Sequence, residues 1–504
     1  MKEYYKLRYY QKEAVNAALK GFTEWDKQLL VMPTGAGKTI CFSALAEQML
    51  PERTLVLADK EKLVEQACEK IEDSIGIIAG REQANHQADR NNAIVVGSVQ
   101  SMINRLDKWP KNHFKTVICD EAQHAISDSW QSVLNHFDSH ANVVGVTATP
   151  FRGDKRELGT YFDEVTYEIS LRQLIHDGYL APIILKALPI DIDISEVNSV
   201  AGDFHTGRLH DTLTPYLRRI AMAIKEHAKG RKILAFLPLI ETSKEFADIC
   251  NKIGLRAHHI SSQEKEKHHL LKHFSHVDGE LMSNAMLLTE GYDNPKIDCV
   301  VNLRPTRSTA LYCQMIGRGT RTAEGKDNLL VLDFLWNHER HDLVRPANIM
   351  TESKEVADIM TARSLGGGEH DMNNLERDAV DERRRTLEAR IRQNRQRKAR
   401  TIDPTEISLV FGDLGAAEYE PTMAWHHDPV STKQRKMLAG QKIDLESVQD
   451  KGHASKIIGM LMPRLTQRLA TPPQVLLLKK LRHPAPTKAT FDEAKQYISR
   501  MFNR

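Results

Sequence analysis

Short apolar runs alternate with longer amphipathic stretches through the first 150 residues. QLLVM (28–32), TLVLA (54–58), AIVVG (93–97), TVIC (116–119) and VVGVT (143–147) are continuous runs of four or five mostly apolar residues. They predict strands buried on both faces, as in a parallel sheet, and the stretches between them predict right-handed helical crossovers. A second set follows at KILAFL (232–237), AMLLT (285–289), CVVNL (299–303) and NLLVLDF (328–334). The expected fold class is α/β, with two tandem doubly wound parallel-sheet lobes over 1–150 and 216–340. The stretch between them, 151–215, is broken by GDK, DGYLAP and NSVAGD and reads as a connector with inter-lobe packing.

After the second lobe the strand pattern stops. Residues 341–400 read as a charged linker in which SLGGGEHD (364–371) is a flexible joint and RRRTLEARIRQNRQRKAR (383–400) a basic helix. Residues 401–504 read as a small, mostly α-helical C-terminal region. Thr432, Gln434, Ala454, Ile458 and Leu461 are echoed near forty residues later by Thr471, Gln474, Ala494, Ile498 and Met501. Each unit opens on a Thr suited to cap a helix, and Pro472 and Pro473 fit a first helical turn. Chance similarity is the alternative, because two copies are few.

Charge changes this picture at one end only. Residues 383–504 carry 24 Lys and Arg against 12 Asp and Glu, a net of +12 that leaves −9 on the other 382 residues. A basic appendage on an acidic body suits a polyanion, and a solvated basic helical surface is the alternative. Cysteines at 41, 68, 119, 250, 299 and 313 form no C-x-x-C pair, which argues against a zinc ribbon or a disulfide framework. No apolar run reaches membrane-spanning length, and MKEYYKLRYYQKEAV lacks the apolar segment of a signal peptide. A reducing, cytoplasmic setting is expected, with no membrane partner.

Two segments carry recognisable chemistry. MPTGAGKT (32–39) follows an apolar strand and precedes a helix. Backbone N–H groups can reach phosphates only where no Cβ intrudes, hence Gly35 and Gly37, and the helix N-terminus adds positive potential. Lys38 would reach the β- and γ-phosphates of a nucleotide, and the Thr39 hydroxyl would ligate Mg²⁺. Met32 stands where the usual pattern has its first Gly. In TVICDEAQH (116–124), Asp120 ends a strand, where a carboxylate can hold Mg²⁺, and Glu121 can polarise an attacking water.

MPTGAGKT and DEAQ resemble motifs I and II of the superfamily-2 helicases, and the rest of that set appears in order over about residues 5–335. LRYYQKEAV (7–15) is similar to the opening segment whose Gln reads adenine, here Gln11. TLVLADKEKLVEQ (54–66) resembles motif Ia, VVGSVQS (95–101) a strand-binding motif, TATPFR (147–152) motif III, LLTEGYDNP (287–295) motif V and QMIGRGTR (314–321) motif VI. The resemblance implies two RecA-like lobes with ATP and Mg²⁺ in the cleft between them. It implies an ATP site of Arg8, Gln11, Pro33, Thr34, Gly35, Ala36, Gly37, Lys38, Thr39, Gly291 and Asp293, with Thr39 and Asp120 on the metal. Catalysis would rest on Lys38, Asp120, Glu121, Gln314, Arg318 and Arg321. A helix would present Arg318 and Arg321 on nearly the same face, to meet the γ-phosphate from the second lobe. Thr147, Ala148 and Thr149 would couple hydrolysis to the strand, touched by Ala58, Lys60, Ser98, Gln100, Arg152, Thr289 and Thr306.

Gln123 departs from the Asp of DEAD-box and the His of DEAH proteins, which leaves the link between motifs II and VI open and makes RNA less favoured than DNA. FDEVTYEISLRQLIHDGYLAP (162–182) and VVNLRPTRSTALYCQMIGRGTR (300–321) resemble RadD-type bacterial DNA-repair helicases and related phage and restriction-enzyme motors. The expected activity is ATP-driven movement on DNA or its unwinding, in repair, recombination or replication, with single-stranded or forked DNA favoured. A non-unwinding duplex remodeller and an ATP-gated subunit of a restriction or defence complex, docked through the C-terminal region, are the alternatives. His268, His269, His273 and His276 include an i,i+4 pair able to bind metal, against which stands a solvated histidine surface. Trp425, with His426 and His427, suits either a small local core or a stacked base.

Overall fold

A computed structural model describes residues 6–148, 158–194, 197, 199–200, 203–289, 291–337, 343–366, 368–394 and 402–502. The chain divides into two compact units, 1–379 and 380–504. Among the described residues no helix is long and apolar enough to cross a membrane.

The first unit holds two seven-stranded sheets. The first contains β1 (Lys27–Val31), β2 (Thr54–Ala58), β3 (Gly80–Glu82), β4 (Ile94–Ser98), β5 (Thr116–Asp120), β6 (Asn142–Thr147) and β7 (Glu164–Glu168). Their spatial order is β3-β4-β2-β5-β6-β1-β7, and every pairing is parallel. All five residues of β2 are buried, which is why their sequence shows no alternation. Trp109, Phe114, Trp130, Phe137 and Phe162 close one face of the sheet. Gly145 in β6 makes room for this core, because a Cβ there would lie 2.5 Å from the Phe162 ring.

The second sheet contains β8 (Ile183–Asp193), β11 (Ile233–Phe236), β12 (Ala257–Ile260), β13 (Leu281–Asn284), β14 (Cys299–Asn302), β15 (Leu329–Asn337) and β16 (Glu369–Asp371), while β9 (Ser199–Val200) and β10 (Asp203–Phe204) pair with each other. The order is β12-β13-β11-β14-β15-β8-β16, parallel except where β16 runs against β8.

Three sequence expectations change. The strand sought at 285–289 is a turn, and β13 instead uses LMSN (281–284), polar in its second half. Its polar groups are satisfied internally: Ser243 Oγ donates to Ser283 Oγ at 3.0 Å, and Asn284 donates to the Ala235 carbonyl at 3.1 Å. The 151–215 stretch supplies β7 to the edge of the first sheet and β8 to the interior of the second. What crosses between them is only residues 169–182, with the helix Leu171–His176. The proposed joint at 364–371 includes β16, so part of the presumed linker belongs to the second sheet.

The second unit is helical, and positions forty apart repeat their local structure. Ser431 caps the helix Thr432–Gly440 with Gln434, and Thr471 caps the helix Pro472–Lys480 with Gln474. The first cap is therefore Ser431, and Thr432 lies inside the helix. Gln434 donates to the Lys451 carbonyl at 3.1 Å and Gln474 to that of Phe491 at 3.4 Å. Lys442 and Arg482 both take positive φ, 59° and 55°, and Ala454 and Ala494 are both fully buried. Trp425 packs edge-on to His426, with centroids 4.3 Å apart, and lies under the Lys451 ammonium.

Candidate active site between the lobes

The phosphate-type loop begins where β1 ends. Met32 is fully buried and its N–H donates to the Thr147 carbonyl at 2.9 Å, so this side chain fills core and does not obstruct the loop. Gly35 and Gly37 take φ of 89° and 80°, which a Cβ disfavours. Gly37 is also hemmed in, since an added Cβ would stand 2.6 Å from Gln11 Nε2. Tyr10 and Gln11 both donate to the Ala36 carbonyl, at 2.9 and 3.0 Å. Gln11 thus braces the loop in this state. The helix Lys38–Gln48 starts immediately after, directing its free N–H groups into the cleft.

Opposite the loop, Glu121 accepts from Lys38 Nζ at 3.2 Å and from Gln123 Nε2 at 3.0 Å. The Thr147 hydroxyl donates to the other amide atom of Gln123, Oε1, at 3.0 Å. Burial by itself pushes the Glu121 pKa up. The charge of Lys38, the hydrogen bonds from Gln123 and Lys38 and the charge of Arg318 outweigh it and hold the carboxyl below its ordinary value. Glu121 also sits at a left-handed φ of 52°, uncommon for a residue with a Cβ and typical of strained functional positions. Asp120 accepts from the Glu121 N–H at 3.1 Å. Thr39 and Asp120 offer hydroxyl and carboxylate oxygens, a hard donor set that fits a magnesium-type ion.

The second lobe meets this loop directly. The helix Thr309–Gly317 ends against Thr34, where a Cβ on Gly317 would lie 2.4 Å from that of Thr34. The Thr320 hydroxyl donates to the Thr34 carbonyl at 3.3 Å. Because the helix stops at Gly317, Arg318 and Arg321 do not share a helical face as expected. Arg318 is buried and donates to the Thr289 and Tyr292 carbonyls at 3.1 and 2.8 Å, while Arg321 pairs with Asp293 at 2.8 Å. Gln314 is buried on the same helix. Gly291 takes φ of 65° and its carbonyl accepts from Gln66 of the helix Glu61–Ile75 at 2.8 Å, a second bridge between lobes. A cavity of about 250 Å³ borders Pro33, Thr34, Ala148, Cys313 and Gly317.

Residues 4–152 match the type III restriction enzyme res-subunit family, and residues 214–323 match the helicase conserved C-terminal domain. These spans hold both halves of the cleft. The chain belongs to the superfamily-2 helicases. It is 30% identical over 353 residues to a Saccharomyces cerevisiae protein named as the ATP-dependent helicase IRC3, covering 65% of this chain and 51% of that protein. It is 34% identical over 351 residues to a Schizosaccharomyces pombe protein named as a mitochondrial ATP-dependent helicase, covering 65% and 57%. The chain thus spans little more than half the length of these relatives. A solved Vibrio vulnificus fragment, described as an HsdR subunit of a type I restriction enzyme, aligns with a TM-score of 0.53 at 25% identity, over 66% of this chain and 65% of the fragment.

The residues expected on the nucleic acid are unequally disposed. Lys60 and Gln100 are exposed, whereas Ala58, Ser98, Thr289 and Thr306 are buried. Ser98 caps the short helix Val99–Ile103, Thr289 donates to the Met286 carbonyl and Thr306 to Asp203, so strand contacts at these positions would come from backbone. Ala148 is buried beside the cavity, and Thr149 and Arg152 lie outside the described residues.

Three residues of the candidate site escaped the sequence analysis, and a fourth, Gln123, was visible there only as a departure from the DEAD and DEAH patterns. Gln123 joins motif II to motif III. Tyr179, from the inter-lobe crossing, lies under the Arg8 guanidinium at 5.0 Å and edge-on to Tyr10. Lys62, beside Gly291, has its pKa lowered by burial and by the charges of Lys267 and Arg318. Lys326 donates to the carbonyls of Ile297, Gly319 and Arg321 at 2.5, 2.6 and 2.7 Å, which fixes the turn after Arg318. Burial lowers its pKa to about 8. Lys62 lies within DKEKLVEQ (59–66), part of the stretch that resembles motif Ia, whereas the roles of Tyr179 and Lys326 depend on tertiary contact.

Proposed function

We propose that the chain hydrolyses ATP between its lobes and uses the linked lobe movement to travel on DNA. The observation that carries this reading is the continuous set running from Lys38 through Glu121 and Gln123 to Thr147, with the Gly317–Arg321 segment of the other lobe against Thr34. Lys38 and the loop N–H groups would hold the phosphates. Glu121, kept ionised, would orient and deprotonate the attacking water. Arg318 would leave the Thr289 and Tyr292 carbonyls to meet charge developing on the γ-phosphate, a contact available only with the lobes together. Mg²⁺, held by Thr39 and Asp120, would neutralise phosphate charge. Gln11, Arg8 and Tyr179 would frame the base, and Asp293 the ribose.

DNA is favoured over RNA because the res-subunit family and the HsdR-type fragment are restriction-enzyme components. Strand contacts through backbone and small polar groups would give weak sequence preference. The resemblance of 162–182 and 300–321 to RadD-type helicases and to related phage and restriction-enzyme motors supports the motor itself, whichever of repair, recombination or replication it serves. ATPase measured in parallel with single-stranded, duplex and forked DNA and with RNA tests the reading. Stimulation by DNA above RNA supports it; equal stimulation by RNA rejects the DNA assignment. A second reading, favoured by the restriction-subunit likeness, is translocation without strand separation inside a larger assembly. Displacement of a labelled strand from forked DNA separates the two.

A further inference from the structure

Glu280 stands one residue before β13 with its side chain only 4% exposed. A carboxylate this buried needs compensation. Arg256 lies 3.6 Å from Oε1, but Oε2 accepts no hydrogen bond. Two imidazole nitrogens nevertheless converge on Oε2: His258 Nε2 and His273 Nε2, each at 3.3 Å. The rings are inclined at 76° with centroids 5.3 Å apart, and the three ligand atoms lie within 4.8 Å of one another.

That spacing is informative. Tetrahedral zinc bonds of about 2.0–2.2 Å set neighbouring ligand atoms roughly 3.3–3.6 Å apart. Two of the three edges already have this length, and the third is no longer than 4.8 Å. Both imidazoles stand at ion-pair distance from Oε2 without a hydrogen bond to it, an arrangement that a shared ion would complete. We infer that the second lobe carries a divalent-metal site of the zinc class, built from His258, His273 and Glu280. Its two nitrogens and one oxygen suit a late first-row ion better than magnesium or calcium, and the 41% exposure of His273 leaves a solvent-facing position for water. The ligands come from β12, the helix Lys267–His276 and the residue that leads into β13. The ion would therefore brace that helix against two strands. The i,i+4 histidine pair within the helix is not the site; the partners of His273 lie on other elements.

The test uses the full chain, freed of metal by chelation and kept without nucleotide. Zn²⁺ is titrated calorimetrically, and Co²⁺ is followed by visible absorption. The expected result is one Zn²⁺ per chain, an intense tetrahedral-type Co²⁺ spectrum, and affinity weakened at least about tenfold in both His258→Ala and His273→Gln. Saturating Zn²⁺ should raise the Tm of the unaltered chain but not of the double variant. Binding unchanged in the double variant, or no stoichiometric binding, overturns the site. Should the variants fail to fold, the Co²⁺ spectrum of the unaltered chain decides: weak octahedral bands, or none, overturn it.

Discussion

Replacing Gly317 with Ala isolates the contact between the lobes. Gly317 is the last residue of its helix and has no positive φ, so a methyl group is locally welcome and would stabilise the second lobe by up to about 1 kcal/mol. Across the interface the balance reverses. The new Cβ would lie 2.4 Å from Thr34 Cβ and 2.6 Å from its Cγ2. Carbon atoms settle at about 3.5–4.0 Å, and Thr34 is stiff at χ1, so the helix end must retreat by roughly 1 Å. Relieving the overlap in place would cost about 1–3 kcal/mol. A displacement of that size at Arg318 corresponds to a loss on the order of 10²-fold in turnover. The expected outcome is an unchanged or slightly raised Tm, retained binding of a fluorescent ATP analogue, and steady-state ATPase reduced by one to two orders of magnitude. Thr34→Gly in the same chain should recover part of the loss, giving a non-additive double-mutant cycle. Full turnover in the single variant, or its loss of fold, would refute the reasoning.

Gln123→Leu removes two hydrogen bonds, one of them to an ionised group; at about 1.5–3 kcal/mol this should lower kcat roughly 10- to 100-fold with little effect on nucleotide affinity. Lys326 loses its proton near pH 8, leaving two N–H donors for the carbonyls that an ammonium serves with three, so ATPase should decline above about pH 8, and Lys326→Met should remove that limb of the profile. The stability effect has the opposite sign: the folded pKa is lowered from 10.5, so the unfolded chain binds the proton more strongly between about 8 and 10.5, and unfolding titrations should show this group's contribution rising with pH over that window. Removing 383–504, which carries the net +12, should weaken DNA binding and flatten its dependence on salt while basal ATPase survives; an unchanged salt slope would exclude the tail as a polyanion clamp.

What the sequence made legible follows the physics of burial. Strands enclosed on both faces, such as Thr54–Ala58, must be continuously apolar, and they stand out. β13 was hidden because Ser283 and Asn284 are buried yet find partners on neighbouring elements, which apolarity cannot report. The loop and the Asp120–Glu121 pair were readable because phosphate geometry dictates residue type at fixed spacing. Gln123 was visible only as a departure, since its link to Thr147 spans 24 residues and two strands. Lys326 left no trace, because a lysine in a turn is ordinarily a solvated one. The helical repeat was readable from its caps and its buried alanines, although Ser431 and Thr432 are separable only by backbone conformation.

The crossing from β7 to β8 has one more consequence. Within residues 169–182 Tyr179 lies against Arg8 and Tyr10, Leu180 pairs with Arg321, and the Ala181 N–H donates to the Thr320 carbonyl at 2.7 Å. The strap joining the lobes is thus also a wall of the chamber they enclose. On the proposed reading, whatever fills or leaves that chamber would bear on the strap itself, and no separate relay would be needed to turn occupancy into displacement.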